Sequence, residues 1–281
     1  MIKNQIKTVL LLGGLTGVLL VIGYLFAGTT GLTVAIIFSL LMNLGTYWYS
    51  DKIVLMMYRA KPISKDQAPD LHKIIETICK LANLPKPKIY LIPTDNPNAF
   101  ATGRNPKHAA VAVTQGILSL LSKKELKGVL AHEMAHVKNR DILISTIAAT
   151  IAGVISYLAF MARFAAIFGG ARDRDGGNVF ELLALAILSP IIAMIIQLAI
   201  SRSREYLADE KGARFIKDSK PLANALLKLE QASKIHPMRI GSKATSHMFI
   251  VNPFAGQSLV NLFSTHPAVS KRIEKLRKLT L

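Results

Sequence analysis

A chain of 281 residues, 51% of them apolar and with a formal charge of +18, can hold one large domain or two smaller ones. No nucleic-acid partner is expected: the apolar residues come in long uncharged runs with the basic excess between them, the pattern of a membrane protein whose positive segments face anionic lipid. The one cysteine, Cys79, excludes an intramolecular disulfide and a Cys-cluster zinc site, and reads as a buried helix residue packing as a small hydrophobe.

No charged residue occurs from Thr8 through Ser50, enough for two membrane helices of about 20 residues each. Gly28-Thr29-Thr30-Gly31 is a turn-like cluster and places the crossings near 8–27 and 32–49. Tyr47, Trp48 and Tyr49, followed by Asp51 and Lys52, form an interfacial aromatic belt with a charged exit. A cleaved signal peptide is the rival for the first run, but its apolar region would be too long and a second span follows at once.

From Asp51 to Asp141 the composition turns soluble. Pro69 suits the first turn of a helix over about 69–82, in which Leu71, Ile74, Ile75, Ile78 and Leu81 recur at helical spacing. Ile89–Ile92, Asn98–Gly103 and Ala109–Thr114 read as three strands, with a turn at Thr94-Asp95-Asn96-Pro97. An edge strand feeding into a site can pair with an extended peptide; simple scaffold is the alternative for the same strands.

The sheet leads into His132-Glu133-Met134-Ala135-His136 within an apolar, helix-compatible run. Residues four apart share a helix face, so His132 and His136 can turn both imidazoles to one metal ion. Glu133 can act on a water beside the metal without being a ligand. This is the zinc-protease spacing, and Ser122 with Glu125 three residues later supplies a capping box at the helix start.

Ile142–Ala162 and Leu182–Ile200 are again uncharged and allow a third and a fourth crossing, with Pro190 as a tolerated kink; a buried soluble hairpin is the alternative. Residues 51–141 and 201–281 each hold 15 Lys and Arg, whereas the 164–181 connection holds only Arg172 and Arg174. With four spans the positive-inside rule puts both basic parts and both termini in the cytoplasm. The expected organisation is two membrane helices in 1–50, a cytoplasmic part in 51–141, two membrane helices in 142–200, and a second cytoplasmic part in 201–281.

Beyond Ile200, Glu205 is the best carboxylate candidate to complete the metal site; spacing does not eliminate the other five histidines, and a surface pairing with Arg202 or Lys211 is the alternative for Glu205. It stands one turn past the fourth run, and the third begins just after His136, so an antiparallel pair returns both pieces to one surface. Asp209, four residues on, shares its face and can orient a ligand histidine. Pro221 opens a helix to Ile235, and His247–Pro253 reads as a strand or a buried loop. The terminal basic helix (Lys271, Arg272, Lys275, Arg277, Lys278) reads as a solvated face.

Four segments in this order, Asn98-Ala99-Phe100-Ala101, Ala131–Asp141, Ser201–Asp209 and Ser264-Thr265-His266-Pro267, closely resemble the HtpX family of membrane-bound zinc metalloproteases and, more distantly, the prenyl-protein (type I CAAX) endopeptidases. The resemblance covers essentially the whole chain. It implies a mainly α integral membrane protein with four transmembrane helices and a cytoplasmic zincin-like (gluzincin) domain containing a small β-sheet. One Zn2+ per chain would be held by His132, His136 and Glu205, with Glu133 as the catalytic acid/base and Asn98 and His266 near bound substrate. Either His266 or Tyr206 can donate a further hydrogen bond to the oxyanion. The family's role is proteolytic quality control and stress response in the plasma (inner) membrane of prokaryotes, acting on misfolded or damaged membrane proteins. Two rivals fit less well. A transporter would place ionisable groups near mid-bilayer, where this chain has only the amides Asn43 and Gln197. A closed structural zinc site needs four protein ligands and leaves Glu133 without a task.

Overall fold

The structure, a computed structural model, describes residues 2–151, 202–235, 248–250 and 267–281. The N-terminal apolar run folds as helix α1, Ile2–Met57, broken where Ala27 (φ −145°, ψ 26°) and Gly28 (φ 55°, ψ −135°) leave helical geometry. A positive φ costs other L-residues about 1 kcal/mol or more and glycine little, which is why the break falls here and not later in the expected turn. The chain doubles back at this point: Asn43 Nδ2 donates to Thr16 Oγ1 across the two arms at 2.9 Å. Val34, Ile37, Leu41 and Leu44 on the second arm are exposed. Among the described residues, Ala27–Met57 is the one helix long and apolar enough to cross a membrane.

The helix runs on past the expected crossing at 32–49. It continues to Met57 because its last turns are buried in protein, with Val54, Leu55 and Tyr58 at 5% exposure or less. The third uncharged run is helical over Asp141–Ile151 (α5), and this stretch too is buried, with Thr150 Oγ1 donating to Thr146 O at 2.9 Å and lying 3.5 Å from Ser50 O. Residues 152–201, which carry the rest of that run and the whole fourth, lie outside the described residues.

The soluble body is built on four strands: β1 Lys61–Pro62, β2 Lys88–Ile92, β3 Ala99–Gly103 and β4 Ala109–Thr114, in the order β1-β2-β4-β3. β2 and β4 are parallel, while β1 and β3 run antiparallel to their neighbours. The three expected strands are present; β1 was too short to read. Side chains of β4 alternate strictly. Ala109, Val111 and Val113 face a large core with α2 (Pro69–Ala82), α4 (Lys123–Asn139), α7 (Lys220–Ile235) and α8 (Val269–Arg277). Ala110 and Ala112 face a second core holding the end of α1 and the 248–250 segment. Those small alanines leave room for Tyr58, Phe100 and Phe249, whose ring centroids lie 5.0–5.6 Å apart.

Helix α2 starts at Pro69 and ends at Ala82 as expected, with Cys79 buried inside it and its thiol pushed up to about 11 by burial. A short helix, α3 (Gln115–Leu120), follows β4. After α5, helix α6 (Arg202–Ile216) packs on α4, and residues on both sides of the central apolar region share one core. Met248–Ile250 is a buried loop segment and not a strand.

Candidate active site

Helix α4 begins at the expected capping box: Glu125 N donates to Ser122 Oγ, and Ser122 N donates back to Glu125 Oε2. Three turns on, His132 and Glu133 are 1% and 3% exposed. The four-residue spacing brings the Nε2 atoms of His132 and His136 to 3.2 Å. Helix α6 completes the group by close backbone approach, since a Cβ on Gly212 would meet His132 N at 2.8 Å. Asp209 and Glu205 lie one and two turns earlier on the same stripe of α6. Glu205 Oε1 is 3.4 Å from His136 Nε2, and Oε2 is 3.7 Å from His132 Nε2.

One atom each from His132, His136 and Glu205 fall within 4.8 Å of one another. Tetrahedral zinc with bonds of about 2.0–2.1 Å sets its ligand atoms roughly 3.3 Å apart, so the spacing fits, and two imidazoles with one carboxylate are a known catalytic donor set. The second nitrogens are also placed for this. His132 Nδ1 is 2.9 Å from Asp209 Oδ1, and His136 Nδ1 is 3.3 Å from Asp141 Oδ2. A carboxylate on Nδ1–H leaves the Nε2 lone pair free to face an ion.

The electrostatics agree. Burial lowers the pKa of His132, favouring the neutral form that ligates. For His136 burial acts the same way, but the Asp141, Glu205 and Glu133 carboxylates outweigh it and raise the ring to about 9. The field that draws a proton there also draws a divalent cation. Burial pushes the Glu133 carboxyl up to about 7. Its Oε2 accepts from Ala101 N at 2.9 Å, so Glu133 reaches toward the free edge of β3. These groups and the Met248–Ile250 segment line a cavity of about 30 Å³, more than the ~10–15 Å³ that one water occupies.

Asp209 is held by a residue that the sequence reading put on a solvated face. Arg272 is fully buried, and it donates from Nε to Asp209 Oδ2 at 2.9 Å and from Nη2 to Oδ1 at 2.7 Å, a bidentate fork. Its Nη1 donates to Ile250 O at 3.0 Å. Burial would raise the Asp209 pKa, but the Arg272 guanidinium and His132 hold it down to about 2. Arg272 falls on the buried stripe Val269, Arg272, Ile273, Leu276 of α8, while Lys271, Lys275, Arg277 and Lys278 are exposed. That stripe was the available signal. Arg272→Ala leaves a carboxylate buried without its cation, which costs about 3–5 kcal/mol. Its thermal unfolding in detergent should fall well below wild type, with Arg272→Lys between the two; an unchanged melting point for Arg272→Ala contradicts the clamp.

Asn98 is fully buried and does not line the cavity. Its Oδ1 accepts from Ile250 N and Ala99 N, each at 3.1 Å. It therefore ties the Met248–Ile250 segment to β3 and acts on the cavity through that segment. Tyr206, about 100° around the helix from Glu205, stacks under Lys275 Nζ at 3.6 Å and lines a separate surface hollow. The oxyanion role considered for it does not suit this placement. His266 lies outside the described residues. Asp141 and Ala101 stand inside two of the four segments that carry the resemblance, but neither was given a role there; the Met248–Ile250 segment carried no motif.

The family model described as Peptidase family M48 matches residues 65–280. The "Protease HtpX homolog" of Syntrophobacter fumaroxidans is 54% identical, covering 98% of this chain and 99% of its own length. That of Thermococcus kodakarensis is 55% identical over 98% and 95%. Among solved structures, S. mikatae Ste24p matches with a TM-score of 0.53 at 19% identity, covering 97% of this chain. This chain spans 64% of that one, under two thirds of its length, and the likeness shows a shared fold. A family match over most of the chain, and relatives more than half identical from end to end, settle the assignment: the chain belongs to peptidase family M48, as a membrane metalloendopeptidase of the HtpX type.

Proposed function

We propose that this protein cleaves peptide bonds of misfolded or damaged membrane proteins at the cytoplasmic surface of a prokaryotic plasma membrane, using one zinc ion per chain. The observation that carries the reading is the convergence of His132, His136 and Glu205 within 4.8 Å, with Glu133 beside them and bonded to the β3 edge. Zinc, when bound by these three side chains, supplies the Lewis acidity that makes water nucleophilic near neutral pH. Glu133 accepts the proton of the attacking water and delivers it to the departing amine; a carboxyl raised by burial suits both transfers. Asp209 and Asp141 hold the imidazoles in orientation, and Arg272 holds Asp209. An extended substrate segment would reach the outer edge of β3 beside the cavity, where Ala101 N donates to Glu133, with His266 as the candidate donor to the oxyanion.

The choice of membrane substrates is supported by where the cavity sits. Phe249, which lines it, packs on Tyr58 just beyond α1, so the cavity is joined to the membrane helix through the protein-buried last turns of α1. The cytoplasmic orientation rests on the uncharged runs and the basic segments between them. Single cysteines test it: Lys124→Cys and Gly176→Cys, each in a Cys79→Ser background. Impermeant maleimide added outside intact cells should label position 176 and spare position 124. Labelling at 124 but not at 176 inverts the orientation.

A further inference from the structure

A second cleft lies where α1 leaves its apolar stretch and meets the ends of β2 and β4. It measures about 460 Å³ and shares no residue with the cavity at His132. Lys52, Lys86, Lys88, Arg104 and Lys107 line it, against Asp51 as the one carboxylate. Lys86 is engaged by Glu76 at 2.7 Å. Among the described residues Lys52, Lys88, Arg104 and Lys107 form no ion pair. Four uncompensated cations around one concavity repel each other, so the cleft favours an anion.

Its level relative to a bilayer narrows the source of that anion. From Gly28 to Ser50, α1 rises roughly 33 Å at 1.5 Å per residue, close to the ~30 Å of a hydrocarbon core. The cleft begins in the last turn of that stretch, at Trp48 and Tyr49, and its floor is aromatic. Arg104 stacks on Trp48 at 4.1 Å and Lys52 stands over Tyr49 at 5.0 Å, with both rings more than half exposed. Interfacial aromatics lie at headgroup depth, so these cations are held where lipid phosphates lie.

We propose that this cleft binds the headgroup phosphate of an anionic phospholipid, with Lys52, Lys88, Arg104 and Lys107 as its cation partners. The bound lipid bridges the end of α1 to the strand ends of β2 and β4 and so fixes the protease sheet against the membrane.

Trp48 is the only tryptophan in the chain, so its fluorescence reads the cleft directly. The full-length protein is placed in phosphatidylcholine nanodiscs containing a fraction of phosphatidylglycerol brominated on its acyl chains, or the same fraction of brominated phosphatidylcholine. Phosphatidylglycerol should quench Trp48 with a preference of at least about five-fold, the attraction of one lysine to an anionic surface. The combined variant Lys52→Gln, Lys88→Gln, Lys107→Gln replaces three exposed side chains. It leaves Arg104 on the indole and should lower the preference at least about five-fold, toward what Arg104 alone retains, at an unchanged melting temperature. Equal quenching by the two lipids in the wild type, or a preference undiminished by the triple substitution, overturns the proposal. So does displacement of the brominated lipid by soluble glycerol phosphate as effectively as by unlabelled phosphatidylglycerol, which would make this a site for free phosphate.

Discussion

Replacing Glu205 with alanine is expected to lower zinc affinity by more than about 100-fold, beyond the 10–100-fold that loss of an outer hydrogen-bond partner brings. Two imidazoles alone are an incomplete zinc site, and among the described residues Glu205 is the carboxylate that lies near both Nε2 atoms, at 3.4 and 3.7 Å. Asp209→Ala should cost less, about 10–100-fold, because it removes the partner of His132 Nδ1 and leaves all three ligands. The order of the two variants is the sharp part. Glu205 stands 69 positions after His136, so its effect also tests whether the central apolar region returns the chain to one surface. Zinc titrations on the detergent-purified proteins decide it. If Glu205→Ala binds as tightly as wild type, another residue closes the site.

Glu133→Gln should lower cleavage by at least about 10²-fold, the share of a positioned general base, while zinc content stays at the wild-type level. Glutamine keeps an oxygen that can accept from Ala101 N, so the β3 edge remains in place and only proton transfer is removed. Zinc and turnover must be measured on the same preparation. Cleavage near the wild-type rate would falsify the assignment of Glu133; loss of zinc would instead show that its carboxylate supports the ligands.

What the sequence made legible was local. The spacing of His132, Glu133 and His136, the capping box at Ser122 and the start of α2 at Pro69 each depend on a few neighbours, and each stands where the pattern put it. Strands Lys88–Ile92, Ala99–Gly103 and Ala109–Thr114 were readable because their boundaries coincide with turn residues. What depended on distant partners was not legible. Arg272 looked like one basic residue among five, and its burial is made tolerable by partners far away in sequence, the Asp209 fork 63 positions back, Glu205 and Ile250 O. Tyr206 and Glu205 are adjacent in sequence, yet a helix turns them to different surfaces. The continuation of α1 past Asp51 and Lys52 was not legible, because it rests on Val54, Leu55 and Tyr58 packing against the sheet. The approach of α6 to His132 hangs on the missing side chain of Gly212, a detail that periodicity does not expose.

The most direct test carries wild-type protein in detergent through removal and return of metal, with zinc per chain and cleavage of an unfolded membrane-protein substrate read on each sample. His132, His136 and Glu205 as a single site give one zinc per chain, cleavage that disappears with it, and recovery in proportion to the zinc restored up to that stoichiometry. Cleavage that continues at an undiminished rate in protein stripped of metal would contradict the account at its centre.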